Sequence, residues 1–342
     1  MIRTYRYRIK DSSCIAELTA LARSCNFVWN FCNESQEHAL RWNQRWPTGF
    51  DLNKLTAGCS KELGLHSQTV QAVCEQYATR RQQFKKRRLR WRGKRSLGWI
   101  PFKASGVKVI DDTVRYAGHT FRFWNSRELP GSIQCGSFSQ DARQRWHVNF
   151  VVDVPESEVT TGTKQIGIDL GLKTLATCSD GRKIEMPRWY RNQQRRIAEH
   201  QRKKRSRQAR NLQAKIANRR KDFLHKESDK LTKECELIVV GDVCSSKLTQ
   251  TKMAKSVNDA GWTLFKNLLS YKAMARKVVY REVSEHFSTQ TCSGCGAISG
   301  PKGREGLGVR EWVCGECGAV HDRDVNAALN ILRLGHQSLA LK

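Results

Sequence analysis

The residues best suited to chemistry stand near the C-terminus, where Cys292-x2-Cys295 and Cys314-x2-Cys317 run into His321-Asp-Arg-Asp-Val-Asn-Ala-Ala328. Two CxxC knuckles separated by residues 296–313 predict a closed tetrahedral site for structural Zn2+, each knuckle giving two thiolates while the spacer folds back as a hairpin. Gly296 and Gly318 directly follow the knuckles and suit their tight turns. Carboxylates offer a second chemistry. Phosphodiester hydrolysis by two metals needs acids from sequence-distant elements to converge on two Mg2+ ions about 4 Å apart, one activating water and one stabilising the leaving oxygen. Asp169, in the apolar run Gln165-Ile-Gly-Ile-Asp-Leu-Gly-Leu-Lys173, and Asp324, at the start of a C-terminal helix, are the candidates. A single aspartate at a strand end or helix start is more often structural; the pair is the stronger signal. Gly167 and Gly171 leave the backbone beside Asp169 open to close approach by phosphate and metal.

Such acids need rigid elements to hold them. The C-terminal helix is read over Val325–Leu334 from Ala328, Ile331 and Leu334 at three-residue spacing. Leu237-Ile-Val-Val240 reads as a buried strand, Thr174–Cys178 as a strand leading to an Asp180-Gly181 turn, and Ala254–Val279 as an amphipathic helix interrupted at Gly261. Upstream, short apolar runs between Gly, Asp and Asn turns over residues 96–158 predict a small antiparallel barrel or sheet, which the alternating strand Tyr5–Ile9 completes. The intervening residues 12–95 read as helical, with Ser12 and Ser13 capping one helix and Ser67 another. That second helix carries Val70, Val73 and Tyr77 and is expected to run on into Arg80–Arg95. The polar stretches 154–158 and 160–163 mark a domain boundary.

The charge names the partner class. A 342-residue chain with 39% hydrophobic residues can fold two or three cores, and its net charge of +29 far exceeds what solubility asks, implying a polyanion. No apolar span of about 18 residues and no signal-peptide pattern is present, so a cytoplasmic, nucleoid-associated protein without a membrane partner is expected. Ten of the sixteen residues Arg80–Arg95 are Lys or Arg, interleaved with Phe84, Leu89 and Trp91. Arg80, Arg81, Lys85, Lys86, Arg87, Arg88, Arg90, Trp91 and Arg92 are therefore candidate nucleic-acid contacts, with Tyr5 and Tyr7 as further stacking groups. A second basic stretch, 188–221, adds Arg195, Arg196, Arg202, Lys203, Lys204, Arg205, Arg207 and Arg210. The nine cysteines outside the knuckles show no ligand spacing and read as small buried residues of a reducing compartment.

The order Gly-Ile-Asp-Leu-Gly-Leu, basic helices, Ile-Val-Val strand, Ala254-Lys-Ser-Val-Asn-Asp-Ala-Gly-Trp262, four-cysteine ribbon and Asp-Arg-Asp-Val-Asn-Ala-Ala resembles the TnpB family of transposon-encoded RNA-guided nucleases, which are related to compact type V CRISPR effectors. The resemblance implies a wedge-like β-barrel (1–11 and 96–158) with a helical recognition insertion (12–95). It further implies an RNase H-like, α/β RuvC nuclease domain (159–285 and 321–342) with an inserted zinc ribbon (286–320). The first and third RuvC acids map to Asp169 and Asp324, and Asp322 is a neighbour. The implied activity is Mg2+-dependent cleavage of double-stranded DNA beside a short motif, directed by a guide RNA.

One position departs from the pattern: Val239-Val-Gly-Asp-Val243 puts Gly241 where the family's second motif carries Glu. Asp242 is one residue off and faces the other way. Glu311, on the ribbon strand before Cys314, is the expected replacement, against the alternative of a surface glutamate paired with Arg304 or Arg310. Three other readings stand beside the guided nuclease: a guided protein that binds without cutting, an unguided transposase or resolvase of the same fold, and a basic zinc protein that scaffolds RNA.

Overall fold

Alternation along the first strand settles which side is inside. In β1 (Ile2–Arg8), Tyr5 and Tyr7 turn inward while Arg6 and Arg8 are exposed. The computed structural model describes residues 1–10, 14–155, 162–243, 250, 254–302 and 305–340 and divides the chain into two units, Met1–Pro155 and Glu156–Lys342.

In the first unit β1 pairs antiparallel with β7 (Trp146–Asp153), and the sheet continues through β6 (Ser132–Gln140) to β2 (Trp99–Lys103). A meander of β3 (Val107–Ile110), β4 (Thr113–Tyr116) and β5 (His119–Arg122) forms a separate three-stranded sheet. The expected barrel does not close: β1 and β2 remain the two edges of an open sheet. Facing aromatics, Tyr7, Phe102, Tyr116, Phe121, Phe123, Phe138 and Phe150, fill its core. Against this core lie α1 (Ile15–Arg41), α2 (Gly49–Leu55) and α3 (Ser67–Gln83), with α1 burying Leu18, Leu21, Cys25, Val28 and Cys32 at helical spacing. The expected caps Ser12 and Ser13 lie outside the described residues. At α3 the cap is His66, whose Nδ1 accepts from the Gln68 amide at 3.3 Å, so Ser67 is the first helical residue. The helix stops at Gln83; most of the basic run lies beyond it.

The second unit is a mixed α/β layer. Its sheet runs β10 (Lys183–Glu185), β9 (Thr174–Cys178), β8 (Lys164–Leu170), β11 (Cys235–Gly241), β12 (Val279–Val283). The β8–β9–β10 meander is antiparallel, while β11 is parallel to β8 and β12 parallel to β11. Strand β11 is central and apolar on both faces; Ile238, Val239 and Val240 are fully buried, each worth about 1.5–3 kcal/mol of transfer free energy. Between β10 and β11 lie α4 (Trp189–Arg202) and α5 (Ser206–Glu234). Then come α6 (Ala254–Ala260) and α7 (Trp262–Ala275), broken at Gly261 (φ +70°) as the sequence predicts, although Val279 already belongs to β12. The last helix, α8 (Arg323–Ala340), is longer than read and buries Ala327, Ala328 and Ile331.

Gly167 explains how α8 sits so close. A Cβ there would strike the Ala328 carbonyl oxygen and come within 2.8 Å of the Leu332 amide nitrogen. Its bare backbone is needed for helix packing, a use the sequence reading did not assign to it. Gly167→Ala is expected to push α8 off the sheet and to destabilise the unit by about 1–3 kcal/mol, the usual range for overpacking; the melting temperature and denaturant midpoint check this.

Candidate metal centres and charged surfaces

The register of three adjacent strands sets the first centre. Val240 pairs with Ile168, and Gly241 with Val283, so Asp169, Gly241 and Val283 come level at the carboxyl ends of β8, β11 and β12. Open α/β sheets place their ligands at such strand ends. Helix α8 brings the next acid. Asp169 lies two residues, about 6.6 Å of strand, beyond Gly167, and Asp324 lies four residues, about 6 Å of helix, before Ala328. The Gly167–Ala328 contact therefore carries Asp324 to Asp169. Asp322 caps α8 by accepting from the Asp324 and Val325 amides at 3.0 Å each and from Lys183 Nζ at 2.7 Å. That fixes Asp324 in the first turn and accounts for Asp322 as a structural neighbour.

A further acid, Glu285, stands beside Gly241. A Cβ on Gly241 would stand 3.3 Å from Glu285 Oε2, so the carboxylate occupies the space a longer residue at 241 would take. Glu285 follows Val283 by two residues at the end of β12, and Lys266 stands on the far side, 2.7 Å from Glu282 and 3.7 Å from Asp242. Burial pushes the Glu285 carboxyl up, the Asp242 charge adds to this, and Lys266 opposes it. Asp169 is pushed up to about 7 by burial first, then by the charges of Glu285 and Asp324, against Arg323 and Arg310. Asp169 and the two carboxylates whose charges reach it are hard-oxygen donors of the kind that suits Mg2+, and a divalent cation among them would relieve their repulsion.

The structure does not bring Glu311 to these acids. It is exposed in β13 (Glu311–Val313), directly opposite Asp322 of β14 (Val320–Asp322). Its predecessor Arg310 instead turns to the centre, donating from Nη1 to both Asp324 oxygens at 3.0 Å. The ribbon does reach the site, but successive side chains on a strand face opposite ways, and the register that serves Arg310 excludes Glu311. The alternative pairing with Arg304 falls outside the described residues. Asp242 is 64% exposed beside Lys266, one residue past the position facing Asp169. No sequence signal marked Glu285: it follows a strand that itself carries Arg281 and Glu282, and only the parallel pairing of β12 with the glycine-ended β11 brings it here.

A metal competes with a proton at Asp169. Mg2+ affinity should therefore fall about tenfold per pH unit below about 7. Without metal, a carboxyl raised above its unfolded value favours folding most below about pH 4, and that contribution is lost as pH rises through about 7. Added Mg2+ is expected to raise the melting temperature more at pH 8 than at pH 6.

At the ribbon, the Sγ atoms of Cys292, Cys295, Cys314 and Cys317 all lie within 4.8 Å of one another. Cys292–Cys317 and Cys295–Cys314 are each 3.7 Å apart. A tetrahedron with Zn–S bonds of about 2.3 Å has edges of about 3.75 Å, so these thiolates fit Zn2+. His321 Nε2, 3.0 Å from Cys292 Sγ, can steady that sulfur from outside, and Ser299 Oγ lies 3.2 Å from Cys314 Sγ.

The candidate nucleic-acid contacts divide by burial. Tyr7 is 1% exposed, packed on Phe123 and Phe150 with its hydroxyl donating to the Arg127 carbonyl, so it is a core residue and not a stacking platform. Tyr5 is half-buried under the Arg127 guanidinium. Arg81 is buried, donating to Gln36 and to the Pro47 carbonyl, and Arg92 packs against both Trp29 and Trp99; both hold the fold together. Arg80, Lys85, Lys86, Arg87, Arg88, Arg90 and Trp91 are exposed. On α4 and α5, Arg195, Arg196, Arg202, Lys203, Lys204, Arg205, Arg207 and Arg210 are all exposed around the α4–α5 turn. Of the other cysteines, Cys25, Cys32, Cys74, Cys178 and Cys235 are buried, Cys135 is exposed, and Cys244 lies outside the described residues. No described helix is long and apolar enough to cross a membrane.

Comparison with known proteins agrees with this geometry. The "Cas12f1-like, TNB domain" family matches residues 262–331 and the "Probable transposase" family OrfB_IS605 matches 149–252. Two relatives share the description "Putative RNA-guided DNA endonuclease". One, from Streptomyces pristinaespiralis, is 36% identical over 228 residues, covering 61% of this chain and 55% of its own length. The other, InsQ of Escherichia coli K12, is 26% identical over 95% of this chain and 90% of its own length. This chain thus spans about half of the first relative and most of the second. A solved Cas12f1–sgRNA–target DNA complex superposes with a TM-score of 0.60 at 12% identity, over 94% of this chain and 83% of that one, which shows a shared fold.

Proposed function

We propose that this chain, which belongs to the TnpB family, is an RNA-guided DNA endonuclease that hydrolyses target phosphodiesters at Asp169, Glu285 and Asp324. The convergence of these three acids at one end of the sheet carries the reading. The strand order, three antiparallel strands followed by two parallel ones with α8 across them, supports an RNase H-like domain. Two Mg2+ ions, when bound, would supply an activated water and charge for the leaving oxygen.

The chain's own residues do the rest. Asp169 is the central ligand, buried and awaiting deprotonation; Glu285 and Asp324 flank it. Asp322 and Lys183 hold the start of α8. Arg310 balances Asp324 and offers a guanidinium to a phosphate oxygen. The exposed basic rows on α4 and α5 hold guide RNA and its heteroduplex by backbone charge, and base pairing reads the target, while the protein reads only a short adjacent motif on the DNA.

The test is cleavage of a guide-matched duplex in Mg2+ by protein co-expressed with its native flanking DNA. Cutting that is lost in Asp169→Ala while target binding persists supports the reading. A wild-type protein that binds target but never cuts would be a guided DNA-binding protein, and cleavage without RNA would make it an unguided nuclease.

A further inference from the structure

The basic run after α3 is an ordered strap. Asn33 donates to the Leu89 carbonyl at 2.9 Å and accepts from the Leu89 amide at 3.2 Å. One turn back along α1, Asn30 does the same for Arg92, at 2.9 and 2.8 Å. Between them Trp29 Nε1 donates to the Arg90 carbonyl at 3.2 Å. Two asparagines at i and i+3 thus give the backbone of residues 89–92 the bonds a neighbouring strand would give. Arg92 locks the strap, set against both Trp29 and Trp99 and bonded to Asn26 Oδ1 at 2.6 Å and the Leu97 carbonyl at 2.9 Å. A solvated run of like charges would need no such fixing.

The strap walls a cavity of about 1090 Å³ against the end of α3. Its surface mixes two chemistries: the exposed cations Arg80, Lys86 and Arg90, and apolar side chains left in water, Phe84 at 57%, Trp91 at 47% and Leu97 at 47%. Ordinary ligand pockets occupy roughly 300–1,000 Å³, so the groove has room for a short stretch of strand, and the choice of occupant rests on its mixed lining. A duplex offers phosphates outward and keeps its base faces stacked, which would leave the ring faces wet. An unpaired strand offers both a phosphate for the cations and a free π-face for the rings.

We propose that this groove is a binding site for unpaired nucleotides, with a base stacked on Trp91 and its phosphates held by Arg80, Lys86 and Arg90. The proposal rests on the reading of the chain as a nucleic-acid-binding protein and specifies single-stranded nucleic acid for this groove. RNA and DNA share the chemistry, and the experiment separates them.

Full-length protein freed of nucleic acid is titrated with a labelled single-stranded RNA, the same sequence in DNA, and a blunt DNA duplex of equal length, over a range of salt. Trp91→Ala is expected to weaken single-strand binding about tenfold, with the salt slope unchanged because no phosphate contact is lost, and to change duplex binding by less than about twofold. Trp91→Phe should retain most of the affinity. Arg90→Gln should lower the salt slope by about one. The strand showing the larger Trp91 effect identifies the source. Equal losses on single strand and duplex, or no loss on either, would overturn the proposal while leaving salt-dependent binding, and hence the broader reading, intact; a wild-type protein with no salt-dependent binding would overturn both. Unchanged melting temperatures in the variants exclude unfolding as the cause.

Discussion

Glu285→Ala should remove cleavage, by about a thousandfold or more, while Glu311→Ala should leave it within a few-fold of wild type. The size follows from what is lost: one of the two carboxylates facing buried Asp169, when a single well-placed electrostatic group commonly accounts for about two to three orders of magnitude in an enzyme's rate. Asp169→Ala and Asp324→Ala should fall as far, and the three losses should not add, because the acids act as one unit. Cleavage of a guide-matched duplex under single-turnover conditions measures this, with target binding as the control. A sharper version moves the acid. Gly241→Glu alone sets a new carboxylate against Glu285 and Ile331, whose nearest atoms stand 3.3 and 3.2 Å from the Cβ position. Combined with Glu285→Ala it restores an acid to the same space. Some recovery in the double variant over Glu285→Ala alone is expected; full activity in Glu285→Ala would sink the assignment outright.

Removing zinc is the second large effect. A four-thiolate site contributes on the order of 10 kcal/mol to the folding of the element it closes, more than a small ribbon of two three-residue strands can replace. Cys314→Ser, or a strong chelator, should unfold the ribbon and lower the melting temperature. Activity should fall with it, because Arg310, directly before one ribbon strand, is bonded to Asp324, and Asp322 at the end of the other caps α8. A chelator that strips zinc, measured by metal release, and leaves both melting and cleavage unmoved would contradict this.

Much of the site was legible in the sequence because spacing carries it. The two knuckles needed only their CxxC pattern, and Asp169 and Asp324 stood out as acids in an apolar strand and at a helix start. What was not legible depends on side-chain direction. Glu311 and Arg310 are neighbours in sequence, and only the pairing of Glu311 with Asp322 decides which of them meets Asp324. Glu285 belongs to no spacing rule; its place comes from the parallel register of β11 and β12. Likewise Tyr7 and Arg81 looked like surface groups from composition, yet the inward face of β1 and the packing of α3 on α1 bury them. The open sheet in place of a barrel has the same origin, since apolar runs predict strands and leave their closure undetermined.

The bare backbone at Gly241 also bears on how such a chain could change. With Glu285 where a Cβ at 241 would press on it, the two placements of the acid crowd each other and repel by charge. Passing from one to the other by single substitutions means crossing a sequence that holds either two crowded acids or none there. An inventory that inspects only the strand position would miss the carboxylate that stands in its space.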